Sequence, residues 1–159
     1  MAHLELLRSG APGQTCLRVV AGGVEQARRC TWGHVWDSSL RRTPGALTAA
    51  VQLAPGWTEL WIFHRAGHRW KSDVVPPDAA GPGLGTAEAA GATPDGTRLL
   101  IVRASMARGR LSRRYQLAAT RSLRVLAQSS QPAAWFNRLS PPSWRGSTLA
   151  LQSSTQWIN

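Results

Sequence analysis

The chain has 159 residues and a formal net charge of +11, from 19 basic and 8 acidic side chains. That length buries a sizeable core and fits a single domain over residues 1–159. Its apolar runs are too short for a membrane-spanning helix. No signal peptide is read in Met1-Ala2-His3 or in the residues after it, and no cofactor, nucleotide or metal motif is present.

Strand signals begin at Leu4 to Arg8 and stop at Gly10-Ala11-Pro12-Gly13, a run of turn formers. Leu17 to Val20 and Val24 to Arg29 flank Gly22-Gly23 and read as a hairpin. Turning it about Gly23 puts Cys16 directly opposite Cys30, and cross-strand neighbours are close enough to bond. A Cys16–Cys30 disulfide is expected, and with it an oxidising compartment, periplasmic or secreted. The alternative is two free buried thiols. Thr31 to Trp36 reads as a further strand and Asp37 to Gly45 as a polar loop.

Leu47 to Val75 reads as strand, turn, strand, turn, strand. Trp57 to Phe63 is rich in aromatic and β-branched residues, which suit a pleated, half-buried surface. It follows Ala54-Pro55-Gly56, where proline presets φ and glycine supplies positive φ. Arg65-Ala66-Gly67-His68 turns into Trp70 to Val75. Pro76 to Gly85 reads as a surface loop or linker, and Gly85 to Ala92 as a weak, Ala-rich strand or irregular stretch.

Thr93-Pro94-Asp95-Gly96 turns into Arg98 to Arg103, whose continuous apolar centre suits a strand covered on both faces. Ala107-Arg108-Gly109-Arg110 is the next turn. Leu111 to Leu117 returns from it, with Leu111, Arg113, Tyr115 and Leu117 on one face and Ser112, Arg114 and Gln116 on the other. Ser122 to Ala127 is a short strand. Gln131 to Leu139 holds a turn or two of helix, with Pro132 in its first turn and Ser140-Pro141-Pro142 breaking it. Thr148 to Leu151 and Thr155 to Ile158 finish the chain as β.

The expected fold class is all-β: short antiparallel strands in units of about 40 residues, with at most one short helix near 131–139. The proline turns at Pro12, Pro55 and Pro94 lie 43 and 39 residues apart. Thr93-Pro94-Asp95-Gly96-Thr97-Arg98-Leu99, with looser copies at Pro12 and Pro55 that lack the Asp, resembles the strand-Pro-Asp-Gly-strand blades of bacterial β-propellers of the TolB-like kind. That resemblance implies a propeller of about four blades serving as a binding scaffold. A sandwich or an open, curved sheet accounts equally for the same strands.

The charge is uneven. Residues 1–95 carry a net +1, whereas residues 96–159 hold ten arginines and no acid. This makes the C-terminal half a candidate for meeting something anionic. A non-catalytic periplasmic or secreted binding protein is expected, such as an inhibitor or immunity protein that blocks a partner toxin or hydrolase. Its contacts with an acidic protein surface fall on Arg108, Arg110, Arg113 and Arg114 around one hairpin, and on Arg65, His68 and Trp70 around another. Nucleic acid is disfavoured, because no helix-turn-helix or RNA-binding aromatic motif appears and a disulfide argues against an intracellular role. An arginine-rich solvated face is the plainest reading of the charge.

Two chemical readings stand beside this one. Trp57, Trp61 and Trp70 are candidates for a sugar platform, with Glu59 and Asp73 as acid and base of a carbohydrate-processing enzyme. His64 and His68, four residues apart and near Asp73, have ligand chemistry, but they straddle a turn and no metal site is expected there.

Overall fold

The computed structural model describes residues 2–7, 11–78, 83–153 and 155–158. Its strands are β1 (Ala2–Leu7), β2 (Thr15–Ala21), β3 (Val24–Thr31), β4 (His34–Val35), β5 (Arg41–Thr43), β6 (Ala46–Ala54), β7 (Trp57–Ala66), β8 (Arg69–Val75), β9 (Leu84–Ala92), β10 (Arg98–Ala107), β11 (Arg110–Ala119) and β12 (Val125–Ser129). Three short helices follow, α1 (Ala134–Leu139), α2 (Pro142–Gly146) and α3 (Thr155–Ile158), with a 3-10 turn at Leu149–Leu151. The chain is all-β with a short helical tail. The strands do not separate into propeller blades: β1–β3 form one sheet and the other nine strands form a second.

The Pro12, Pro55 and Pro94 turns each join two antiparallel partners. In the third, the Asp95 carboxylate accepts bonds from the Thr97 amide at 3.0 Å and from the Thr93 and Thr97 hydroxyls at 2.8 Å. Those donors, led by the Thr97 amide, hold its pKa down to about 2. The end of the first expected strand at Arg8, the Gly10 start of its turn and part of the Pro76–Gly85 stretch lie outside the described residues.

β7 organises the large sheet. One edge pairs with β6; the other is divided between two strands. Leu60 to Ala66 pairs antiparallel with β8, while Trp57 and Thr58 pair in parallel with Gly85 and Thr86 of β9. β9 therefore leaves β7 where β8 takes over, and carries β10–β12 with it.

Three apolar clusters hold the layers together. Leu17 and Val19 of β2 pack on Leu47, Ala49 and Val51 of β6 and on Trp61 and Phe63 of β7. Leu60, Ile62 and Ala46 pack on Ala87, Ala89, Leu99, Ile101 and Ala118. The other face of the second group of strands, with Ala90, Leu100, Val102, Ala104 and Tyr115, is covered by Phe136 of α1, Ala150 and Trp157 of α3. The order is three-stranded sheet, β6–β8, β9–β11, helical tail.

This layering explains β9. A strand covered on both faces at close range needs small residues, so its alanines are a packing requirement. At Gly91 an added Cβ would collide with the Leu139 carbonyl at the end of α1. It also explains why the C-terminus departs from the expected β structure. Thr148 to Leu151 and Thr155 to Ile158 are not strands, because no sheet edge reaches them; they satisfy their backbone locally as a 3-10 turn and a helical turn. Pro142 does not merely end a helix but opens α2, in the favoured first-turn position. Pro132 precedes α1 rather than sitting in it, and β12 begins at Val125, later than expected.

The cysteines are bonded, Cys16 to Cys30, and are register partners. The route to that register differs from the expectation. The turn has two residues, Gly22 and Gly23, both at positive φ, as a tight primed hairpin turn requires. It pairs Ala21 with Val24 and Val20 with Glu25, and a bulge then shifts the ladder by one residue. Without that bulge Cys16 would face Arg29.

Two outcomes are expected from this packing. Cys16→Ser/Cys30→Ser should lose about 3 kcal/mol of stability, the loop-closure value for a ring of this size, read by urea unfolding against the oxidised protein. Gly91→Ala should cost about 1–3 kcal/mol through overpacking against Leu139; an unchanged midpoint would contradict the close approach of α1 to β9.

Candidate functional site

The β10–β11 hairpin turns at Arg108 and Gly109, both at positive φ. Arg108 and Arg110 are exposed at this tip. Strand alternation then separates the remaining arginines. Arg114 shares a face with Ser112 and lies directly across from Arg103, with Ser105 across from Ser112. Like charges directly opposite each other on a sheet repel. Asp78 offsets this by pairing with Arg114 at 2.8 Å.

Burial first, and then the Arg114 charge, hold the Arg103 pKa below its ordinary value, against the opposing pull of Asp78. The buried Arg103 Nε has no partner among the described residues. A cleft of about 420 Å³ opens here, lined by Asp78, Ser105, Ser112, Arg114, Gln128 and Ser130.

Arg113 points the other way. Its Nε donates to the Ala150 carbonyl at 2.8 Å and its Nη2 to the Gln152 carbonyl at 2.9 Å. It is bound to the tail, not arrayed with Arg108, Arg110 and Arg114. Tyr115 is also turned inward, edge-on to Phe136 with ring centroids 5.0 Å apart, and offers no stacking surface to a base.

The β7–β8 tip is a separate surface. Arg65 and Trp70 are register partners, and His68 is exposed at the tip. With Arg42, Thr43, Pro44 and Leu47, Arg65 and Trp70 line a cleft of about 480 Å³. The two predicted contact regions do not meet. Ser105 lies at the Gly85 and Trp57 end of β7, and Arg65 is eight residues further along, about 26 Å at the usual strand rise.

The carbohydrate-enzyme arrangement is not assembled. Glu59 shares a face with Trp61 and accepts its Nε1–H at 2.9 Å. Asp73 pairs with Ile62, on the opposite face, and bonds His64 Nε2 at 2.7 Å. The two carboxylates point apart. Trp61 is 2% exposed, with Arg29 over its ring at 5.7 Å, so it cannot serve as a sugar platform. His64 is buried against Asp73 while His68 stands in solvent, so they do not converge on an ion.

The feature that sequence reasoning missed is Glu88. It is 3% exposed, and it accepts the Ala150 amide at 2.5 Å and the Leu149 amide as well. Desolvation raises its pKa to about 7, against the lowering effects of those two amides and of the Arg41 charge. Glu88 thus caps the amides that open the 3-10 turn, while Arg113 takes a carbonyl within it. A pocket of about 260 Å³ beside Glu88 is lined by Trp36, Ser38, Ser147, Leu149 and Gln156. Arg41 borders this region, donating to Ser147 Oγ at 2.5 Å and lying over the Trp144 ring at 5.2 Å. The available signal was one acid inside the small-residue run Thr86-Ala87-Glu88-Ala89-Ala90.

Protein-family models, curated proteins and solved structures give no match to the chain, so its surfaces are read from their own chemistry.

Glu88 makes a pH prediction. Its folded pKa lies above the ordinary 4.5, so the folded state holds the proton more tightly. That contribution is complete below about pH 4.5 and is lost as pH rises through about 7. Glu88→Gln should remove this slope and make the protein relatively more stable at pH 8 than at pH 5, by on the order of a few kcal/mol. Urea unfolding of both proteins at the two pH values checks it; parallel pH dependences would contradict it.

Proposed function

We propose that the protein is a non-catalytic binding protein of an oxidising compartment, periplasmic or secreted, that offers arginine-rich strand ends to a protein partner with an acidic surface. Its concrete form is an inhibitor or immunity protein that covers the active site of a toxin or hydrolase. One observation carries this reading. Of the ten arginines beyond residue 95, Arg114 alone makes an ion pair among the described residues. Arg98, Arg108, Arg110, Arg121, Arg124 and Arg138 are exposed. Uncompensated charge of one sign steers and selects partners of the opposite sign, and Arg108 and Arg110 concentrate it at one hairpin tip.

Two further features support it. The Cys16–Cys30 bond fits an oxidising compartment. The basic clefts sit at the ends of strands in a layered β scaffold, where binding residues are commonly carried. Arginine and tryptophan, both plentiful here, are enriched at binding hot spots.

The test is capture from nuclease-treated periplasmic or culture-fluid protein, comparing wild type with Arg108→Glu/Arg110→Glu at low salt. A specific protein retained by wild type and bound at least about tenfold more weakly by the variant is expected. Equal retention by the variant, or loss of all capture on nuclease treatment, would contradict the reading.

A further inference from the structure

The large sheet ends at β12. Among the described residues β12 pairs only with β11, and its outer edge has no strand partner. Exposed edges are usually guarded by charge, proline or a covering element. The sequence of β12, Val-Leu-Ala-Gln-Ser, has neither charge nor proline, and Val125 and Leu126 are 43% and 39% exposed.

The direction of its backbone groups is set by the hairpin. The Ala119 amide donates to the Arg124 carbonyl at 2.9 Å, so the odd residues of β11 aim their amides at β12. Ala127 and Ser129, opposite Leu117 and Tyr115, return theirs. Gln128, between them, therefore turns its N–H and C=O outward. Its side chain and Ser130 line the cleft that holds Arg114 and Asp78. Hence the outward N–H and C=O of Gln128 lie beside a cleft in which Arg114 pairs with Asp78.

We propose that the free edge of β12 receives an extended acidic segment of a partner protein. The segment adds antiparallel to Val125–Ser129 as a further strand and sends an acidic side chain to Arg114. This rests on the binding-protein reading and names how the partner is held. Backbone bonds supply affinity in strand addition, and the pockets beside the edge select side chains. Ser130 and Ser112 are small and leave Arg114 within reach of a carboxylate. Asp78 occupies the place of the ligand carboxylate and exchanges with it. A second copy of this chain fits poorly, because edge-to-edge pairing would bring Arg121, Arg124 and Arg114 of each copy together.

The probe is a synthetic octapeptide of alternating valine and glutamate, with its valine–lysine counterpart and a version N-methylated at alternate amides. The full-length oxidised protein is titrated with each by calorimetry. The glutamate peptide should bind and the lysine peptide should not. The N-methylated peptide keeps the charge and loses the ladder, so it should bind at least about tenfold more weakly. Gln128→Pro removes the outward N–H while sparing the β11 ladder, and should weaken binding as much; Gln128→Ala should not. Arg114→Gln should weaken it and Asp78→Asn strengthen it.

Equal binding of the N-methylated peptide, or indifference to Gln128→Pro, overturns strand addition and leaves the acidic-partner reading standing. No binding by any acidic peptide overturns both. A single-stranded oligonucleotide of equal charge that displaces the peptide, or a dimer that Gln128→Pro abolishes, overturns the proposal in favour of that occupant.

Discussion

Two strands compete for one edge of β7, and the architecture depends on how that edge is shared. β8 takes Leu60 to Ala66, and β9 is left with Trp57 and Thr58. A flat continuation of the sheet is then impossible beyond Thr86. β9 leaves, and the strands after it pack across β6–β8 through Leu60, Ile62, Leu99 and Ile101. The Pro44–Gly45 and Pro94–Gly96 turns meet as a result; a Cβ at Gly96 would collide with the Pro44 carbonyl. The covered part of β10 and β11 is apolar. Further along the same face come Arg103, Ser105, Ser112 and Arg114, beside the segment that carries Asp78. The basic cleft is where the face shared by two layers outruns its core.

Charge is handled in two ways on either side of β9–β11. Toward the tail the polar side chains are used up: Glu88 accepts the opening amides of the 3-10 turn and Arg113 donates to carbonyls within and after it, so both ends of the turn are held from the sheet. Those hydrogen bonds dock a segment with little regular structure of its own. Elsewhere the arginines beyond residue 95, Arg114 apart, have no ion-pair partner among the described residues. Repulsion among them disfavours the isolated molecule slightly, and an acidic surface relieves it. This difference supports the proposed binding role.

The sequence was most legible where local chemistry decides. Glycine pairs and proline turns marked the hairpins, and alternation assigned Arg113 and Arg114 to opposite faces. The Cys16–Cys30 pairing was legible as well, although a bulge rather than a turn centred on Gly23 produces it. Long-range contacts were not legible. Nothing local says that β9 runs parallel to β7, and its alanines carry weak strand preference although packing on two faces demands them. The tail read as β because Leu149, Leu151, Trp157 and Ile158 are apolar. What Leu149, Leu151 and Trp157 bury against is a sheet face, not an edge. Glu88 was hidden because its partners are backbone amides more than 60 positions away. The Arg103–Arg114 row needed the β10–β11 register.

Hydrogen exchange of the protein alone and with its captured acidic partner tests the central claim most directly. Slowed exchange concentrated in Arg108–Arg114 and Val125–Ser129, reversed by high salt, is the predicted result. Protection confined to β1–β3, or no change along β11 and β12, would place the partner elsewhere and contradict the account.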